Sequence, residues 1–240
     1  MTEAGPVHVR DIQAEAFLLG QDRLLLRGRL RDDRPFGLGG AGGEPETIHH
    51  LTLELTVRLP DFTVLAARAE MQDIPQPECR LVLEGVKKLE GLAITSGFSK
   101  KVRELLPRIE TCPHLVALIL AVAPIAMQGA FVQFIGQAGE TLLQGGEEAS
   151  ALMEASFSWW KNTCLVAAED GPVVREIKER GMLYSLQEVA AILHVEYREL
   201  LKKAKEGEFP AFEQEGKWVV RWQDLEPWFQ ARARTGGGQV

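Results

Sequence analysis

The stretch from Met182 to Phe229 constrains the fold more tightly than any other part of this 240-residue chain. Ser185 is followed three positions later by Glu188, the spacing of a capping box, in which hydroxyl and carboxylate satisfy orphaned backbone amides at a helix start. Val189, Ala190, Ile192 and Leu193 then recur at helical spacing, so a first helix should end near His194. A short turn leads into a second periodic segment, Glu196 to Lys205, with Leu200, Leu201 and Ala204 facing inward and Gly207 stopping it. Two short helices joined this way read as a helix-turn-helix. Phe209–Phe212 and Lys217–Val220 flank Glu215-Gly216 as a small hairpin, and Trp222 to Arg232 reads as a closing helix.

The motif order S-x-x-E-V-A-x-x-L-x-V, G-x-F-P-A and G-K-W-x-x-x-x-x-D-L-E-x-W resembles the excisionase-type winged helix-turn-helix, a relative of the MerR-like DNA-binding domains. That resemblance implies double-stranded DNA as a partner, with the second helix in the major groove and the wing on the backbone. The residues it implicates are Tyr197, Arg198, Lys202, Lys203 and Lys205 on the helix, and Lys217 and Arg221 near the wing. Where the family often begins this helix with Ser/Thr and Arg, this chain places Glu196 and Glu199 beside Arg198.

Charge is distributed unevenly. Gly181–Val240 carries eight Lys and Arg against nine Asp and Glu, a near-neutral module whose basic character gathers at Lys202, Lys203 and Lys205. The preceding 180 residues carry 19 against 25, a mildly acidic body ill suited to hold nucleic acid by itself. The expected organisation is an α+β body over 1–180, a small mainly helical winged helix-turn-helix over 181–232, and a disordered tail over 233–240. The expected function is transcription regulation, the body supplying homo-oligomerisation or sensing; the alternative is a helix-turn-helix retained as a protein-interaction adaptor. Thr2, Glu3 and Asp11 interrupt any early apolar run, and three cysteines are too few and odd for a secreted disulfide framework, so a reducing cytoplasm is the expected compartment.

Within the body, Ile12–Leu19 and Leu24–Arg31 alternate around Gly20-Gln21-Asp22, and Ile48–Leu59 and Thr63–Glu70 around Pro60-Asp61, which reads as two antiparallel hairpins. Between them, Gly37–Gly43 contains a formal G-x-G-x-x-G. It leads into a strand and no Lys-Ser/Thr follows, so it reads as a flexible connection and not a phosphate loop. Pro77–Leu89 and Ser99–Leu106 read as helices, with Leu92–Thr95 a strand candidate between them. Leu115–Phe134 is uncharged over twenty residues, long enough for a membrane span. Gln128, Gln133 and the lack of flanking Lys, Arg or aromatic anchors favour a buried core helix, and Pro124 should kink or split it. Gly136–Glu148 reads as a surface loop and Ala149–Trp160 as an amphipathic helix.

The cysteines occur in Pro75-Gln76-Pro77-Glu78-Cys79, Thr111-Cys112-Pro113-His114-Leu115 and Asn162-Thr163-Cys164-Leu165. With Asp170-Gly171-Pro172-Val173-Val174-Arg175-Glu176, these motifs make the body, from Val7 to Ile177, resemble a bacterial family of unknown function, which brings no activity with it. Cys79, Cys112, His114, Cys164 and His49 are the donors available to a transition metal such as zinc, although no paired C-x-x-C element is present. Plain core packing of the cysteines is the competing reading. A third reading makes Cys112 a reactive thiol beside His114, which requires a non-helical backbone before Pro113, because positions two apart on a helix do not face each other. No Ser-His-Asp order, HExxH or paired-carboxylate spacing supports an enzyme.

Overall fold

The computed structural model describes residues 5–38, 43–144, 161–221, 223–225 and 227. By packing, the chain divides into two compact units, Met1–Ala130 and Phe131–Val240. The described residues of 131–180, grouped with the body from sequence, therefore belong by contact to the second unit.

The first unit is built on one antiparallel sheet of strand order β1-β2-β3-β4, formed by Val9–Leu18, Arg23–Arg34, Glu46–Arg58 and Val64–Asp73. The two expected hairpins are joined because β2 and β3 pair along their whole length, from Arg23↔Arg58 to Arg34↔Glu46. The glycine-rich stretch is thus the β2–β3 connection. The pleat sends alternate residues to opposite faces. Leu24, Leu26 and Leu30 on β2 and Leu51, Leu53, Leu55 and Val57 on β3 are buried, whereas the other face carries Arg27, Arg29 and Arg31, of which Arg27 pairs with Glu54 across the strands at 3.0 Å.

The apolar run becomes two helices. α2 (Pro113–Val122) and α3 (Ile125–Gln144) are separated at Ala123-Pro124, where proline removes a helical hydrogen bond as expected. By length and composition Pro113–Phe134 could cross a bilayer. In the fold, α2 lays Leu115, Leu118, Ile119 and Val122 on the buried sheet face. Gly28 permits the approach: a Cβ there would lie 2.3 Å from Val122 Cγ2 and 2.9 Å from Leu118 Cδ1.

Other expectations are corrected. Pro77–Leu89 is helical but of 3₁₀ type, and α1 covers Phe98–Leu105. Leu92–Thr95 contributes only an isolated bridge, Thr63↔Ala93. The backbone expected to loop from Gly136 stays helical to Gln144, because Ala, Glu, Leu and Gln are good helix formers and a nucleated helix extends cheaply through isolated glycines. Residues 145–148 of that loop, the Ala149–Trp160 helix and the 233–240 tail lie outside the described residues.

In the second unit, α4 (Pro172–Arg180) precedes a three-stranded sheet of order β5-β7-β6, formed by Leu183–Ser185, Lys217–Arg221 and Phe212–Gln214, with α5 (Leu186–Ile192) and α6 (Tyr197–Lys205) between β5 and β6. The capping box forms: Ser185 Oγ accepts from the Glu188 amide at 3.2 Å, and the Ser185 amide donates to Glu188 Oε2 at 2.7 Å. His194 takes φ +52° in the turn between α5 and α6, and Glu215 and Gly216 take φ +51° and +76° at the hairpin tip, as a two-residue turn with both centres left-handed requires. Tyr184, Leu186, Val189, Leu193, Leu200, Phe209, Val220 and Leu225 form the core. Of the expected closing helix, the described residues 223–225 and 227 are helical.

Candidate functional site

Among the described residues, the sheet register of the first unit places a buried carboxylate on the apolar face. Ile12, Leu30 and Leu51 lie opposite one another across β1, β2 and β3, and the next rung on the same face is Arg10, Asp32 and His49. Asp32 occupies the position that the alternation Leu24, Leu26, Gly28, Leu30 reserves for an apolar residue, and it is fully buried. Arg10 satisfies it in bidentate fashion, Nε donating to Oδ1 and Nη2 to Oδ2, both at 2.7 Å. His49 Nδ1 is 3.1 Å from Oδ2.

α2 supplies a further group. Leu118 and Val122 sit over Gly28, so one turn earlier on the same helix face His114 comes over the polar rung. Its Nε2 is 3.6 Å from Asp32 Oδ2, and its ring lies against that of His49, centroids 4.0 Å apart and planes tilted by 33°. His8, just before β1, brings Nε2 to 3.4 Å from Asp32 Oδ1. Cys112 caps α2 with φ −89° and ψ 127°, the non-helical backbone that the thiol reading requires, and its Sγ lies 3.4 Å from His114 Nδ1.

Electrostatics follow from this packing. Burial acts to raise the Asp32 pKa, but the hydrogen bonds and charge of Arg10, with help from His114 and His49, hold it at about 2. Burial pushes the His114 imidazole below its ordinary range, His49 and Arg10 push the same way, and Asp32 opposes them. These influences bias His114 toward its neutral form, which offers a ring-nitrogen lone pair.

Of the expected donors, His49, His114 and Cys112 are brought together, whereas Cys79 is half-buried in the 3₁₀ segment and Cys164 is exposed in the second unit. Among the described residues, the group whose donor atoms lie within 4.8 Å of one another is Asp32, His49 and His114. Asp32, Arg10 and His8 were missed from sequence, although extending the β2 alternation by one rung exposes the misplaced carboxylate.

The second unit carries the expected DNA-contacting residues. With Leu200 and Ala204 buried, and Tyr197 and Leu201 packed on the core, Arg198, Lys202 and Lys205 form an exposed stripe along one side of α6 at helical spacing. Lys203 is half-buried on the opposite flank, and Lys217 is exposed at the wing. Lys202 reaches Glu206 at 3.9 Å. Arg221 is already engaged: its guanidinium lies 4.6 Å from the Phe212 ring centroid and 3.8 Å from Asp224.

Comparison with known proteins agrees with this division. The family described as "Protein of unknown function (DUF2889)" matches residues 8–128, the sheet, the polar rung and α2, and a helix-turn-helix domain matches residues 183–233. The Asp170–Glu176 motif, where the family resemblance read strongest, lies beyond the matched span. No curated protein and no solved structure matches the chain. The chain belongs to the DUF2889 family and carries an excisionase-type helix-turn-helix domain after the family's matched region.

Proposed function

We propose that this protein is a DNA-binding transcriptional regulator whose α6 enters the major groove, with the β6–β7 wing on the backbone and the first unit serving pairing or sensing. The observation that carries this reading is the helix-turn-helix match at 183–233, laid over a helix whose Arg198, Lys202 and Lys205 stripe is free of the core. Residues at the start of a recognition helix reach base edges, so Arg198 is the candidate base reader, and Lys202, Lys205 and Lys217 serve as phosphate contacts. Arg221 holds the wing onto its own domain. One small module gives modest affinity, which favours a homo-oligomer on paired half-sites in the cytoplasm.

The near-neutral charge and the acidic pair Glu196 and Glu199 at the start of α6 favour a second reading, a helix-turn-helix used for protein contacts. Selection of randomised duplex DNA by the full-length chain, followed by a salt titration on the selected sites, separates the two. A recurrent, palindromic site with affinity falling steeply as salt rises supports the regulator. Negligible binding at low salt overturns it.

A further inference from the structure

Three of the five histidines in the chain converge on one buried carboxylate from three separate segments: His8 before β1, His49 on β3 and His114 on α2. Charge neutralisation of Asp32 does not require them, because Arg10 supplies a full countercharge through two 2.7 Å hydrogen bonds. A carboxylate offers about four lone-pair positions, so the Arg10 clamp leaves others open. Apolar packing does not require them either: the adjoining rung on the same face is Ile12, Leu30 and Leu51, of which Leu30 and Leu51 are buried without any polar partner to satisfy.

We propose that this rung is a binding site for a divalent transition-metal ion, held by His49 Nδ1, His114 Nε2 and the Asp32 carboxylate. Their donor atoms already lie within 4.8 Å of one another, so small side-chain rotations gather them on one ion. Two imidazoles and a carboxylate form a nitrogen and oxygen donor set suited to zinc, iron(II), cobalt or nickel, and not the soft thiolate set that selects copper(I). The surroundings match an outer coordination shell. Arg10 fixes the carboxylate through its remaining lone pairs, and Cys112 Sγ meets Nδ1 of His114, the ring nitrogen opposite the proposed ligand atom. His8, 45% exposed in its side chain and 3.4 Å from Asp32 Oδ1, offers a further nitrogen. This donor set departs from the one expected from sequence, because Asp32 joins His49 and His114 while Cys79, Cys112 and Cys164 do not bind the ion.

The test is metal titration of the untagged, metal-stripped full chain, independent of whether it binds DNA. Zinc affinity comes from competition with a chelating dye, and donor type from the visible spectrum of the cobalt(II) form. The expected result is equimolar binding with cobalt d–d bands and no intense thiolate-to-metal charge-transfer band. His49→Ala and His114→Gln should each weaken binding by more than the roughly 10–100-fold typical of outer-shell changes, and Arg10→Lys by about that outer-shell factor. Cys79→Ser and Cys164→Ser should bind as the parent does. Far-UV circular dichroism confirms that each variant is folded; should His49→Ala fail to fold, the half-buried His114→Gln decides. Absence of equimolar zinc or cobalt binding by the parent chain overturns the proposal. So does undiminished binding in the folded histidine variants, or a thiolate charge-transfer band.

Discussion

Asp32→Asn removes a charge from a fully buried position while keeping nearly the same shape, so its cost isolates the electrostatics of the polar rung. Arg10, His114 and His49 lower the Asp32 pKa from 3.8 to about 2. That fall corresponds to about 2 kcal/mol favouring the ionised carboxylate in the folded state. Removing one member of a fully buried ion pair costs roughly 3–5 kcal/mol, and because the Arg10 side chain is 39% exposed, the lower figure is the one to expect. For a carboxylate whose folded pKa is depressed, the stabilisation is complete above the unfolded value and disappears as pH falls through the folded value. Asp32→Asn should therefore cost about 2 kcal/mol at pH 7, with the gap to the parent closing between about pH 4 and pH 2. The assay is urea unfolding followed by far-UV circular dichroism. A gap below about 0.5 kcal/mol at pH 7, or one that does not change with pH, refutes the reasoning.

Gly28→Ala should destabilise the first unit by about 1–3 kcal/mol, read by the same dichroism melt, because its Cβ would overlap Val122 and Leu118 and lift α2 from the sheet. Ser185→Ala removes the capping-box acceptor and should cost about 1 kcal/mol, read by urea unfolding of the full chain. If α6 docks as proposed, Lys202→Ala and Lys205→Ala should each reduce the salt slope of DNA binding by about one. Arg198→Ala should relax the preference for one base by roughly 1–3 kcal/mol, whereas Arg221→Ala should lower domain stability and leave the slope unchanged.

The helix-turn-helix was readable because its determinants are local. A capping box, a stop at Gly207 and a turn at Glu215-Gly216 each act within a few residues, and each formed where the spacing placed it. Strand pairing in the body was readable from alternation, but the strand ends were not. Starting β1 at Ile12 and ending β2 at Arg31 left off the rung that carries Arg10 and Asp32. Once the strands are extended to Val9 and Arg34, the register sets Asp32 opposite both Arg10 and His49. The approach of His114 depends on how α2 crosses the sheet, which is set by the missing side chain of Gly28, a tertiary fact with no local sequence signature. The cysteines are conspicuous as reactive residue types, yet the convergence centres on an aspartate whose only sequence mark is a polar residue out of phase.

The polar rung and the arginine face of β2 also discourage the chain from pairing out of step. A slip of β2 by one residue would turn Arg27, Arg29 and Arg31 toward the packing surface of α2, and would move Asp32 away from Arg10 and His49 to the solvent side. Each displaced guanidinium would have to be desolvated without a partner, a penalty far larger than any hydrophobic contact such a slip could recover. The strand thus carries its own alignment key, and replacing its outward arginines with leucine should leave the native sheet intact while removing the barrier that keeps mispaired and intermolecular sheets from forming.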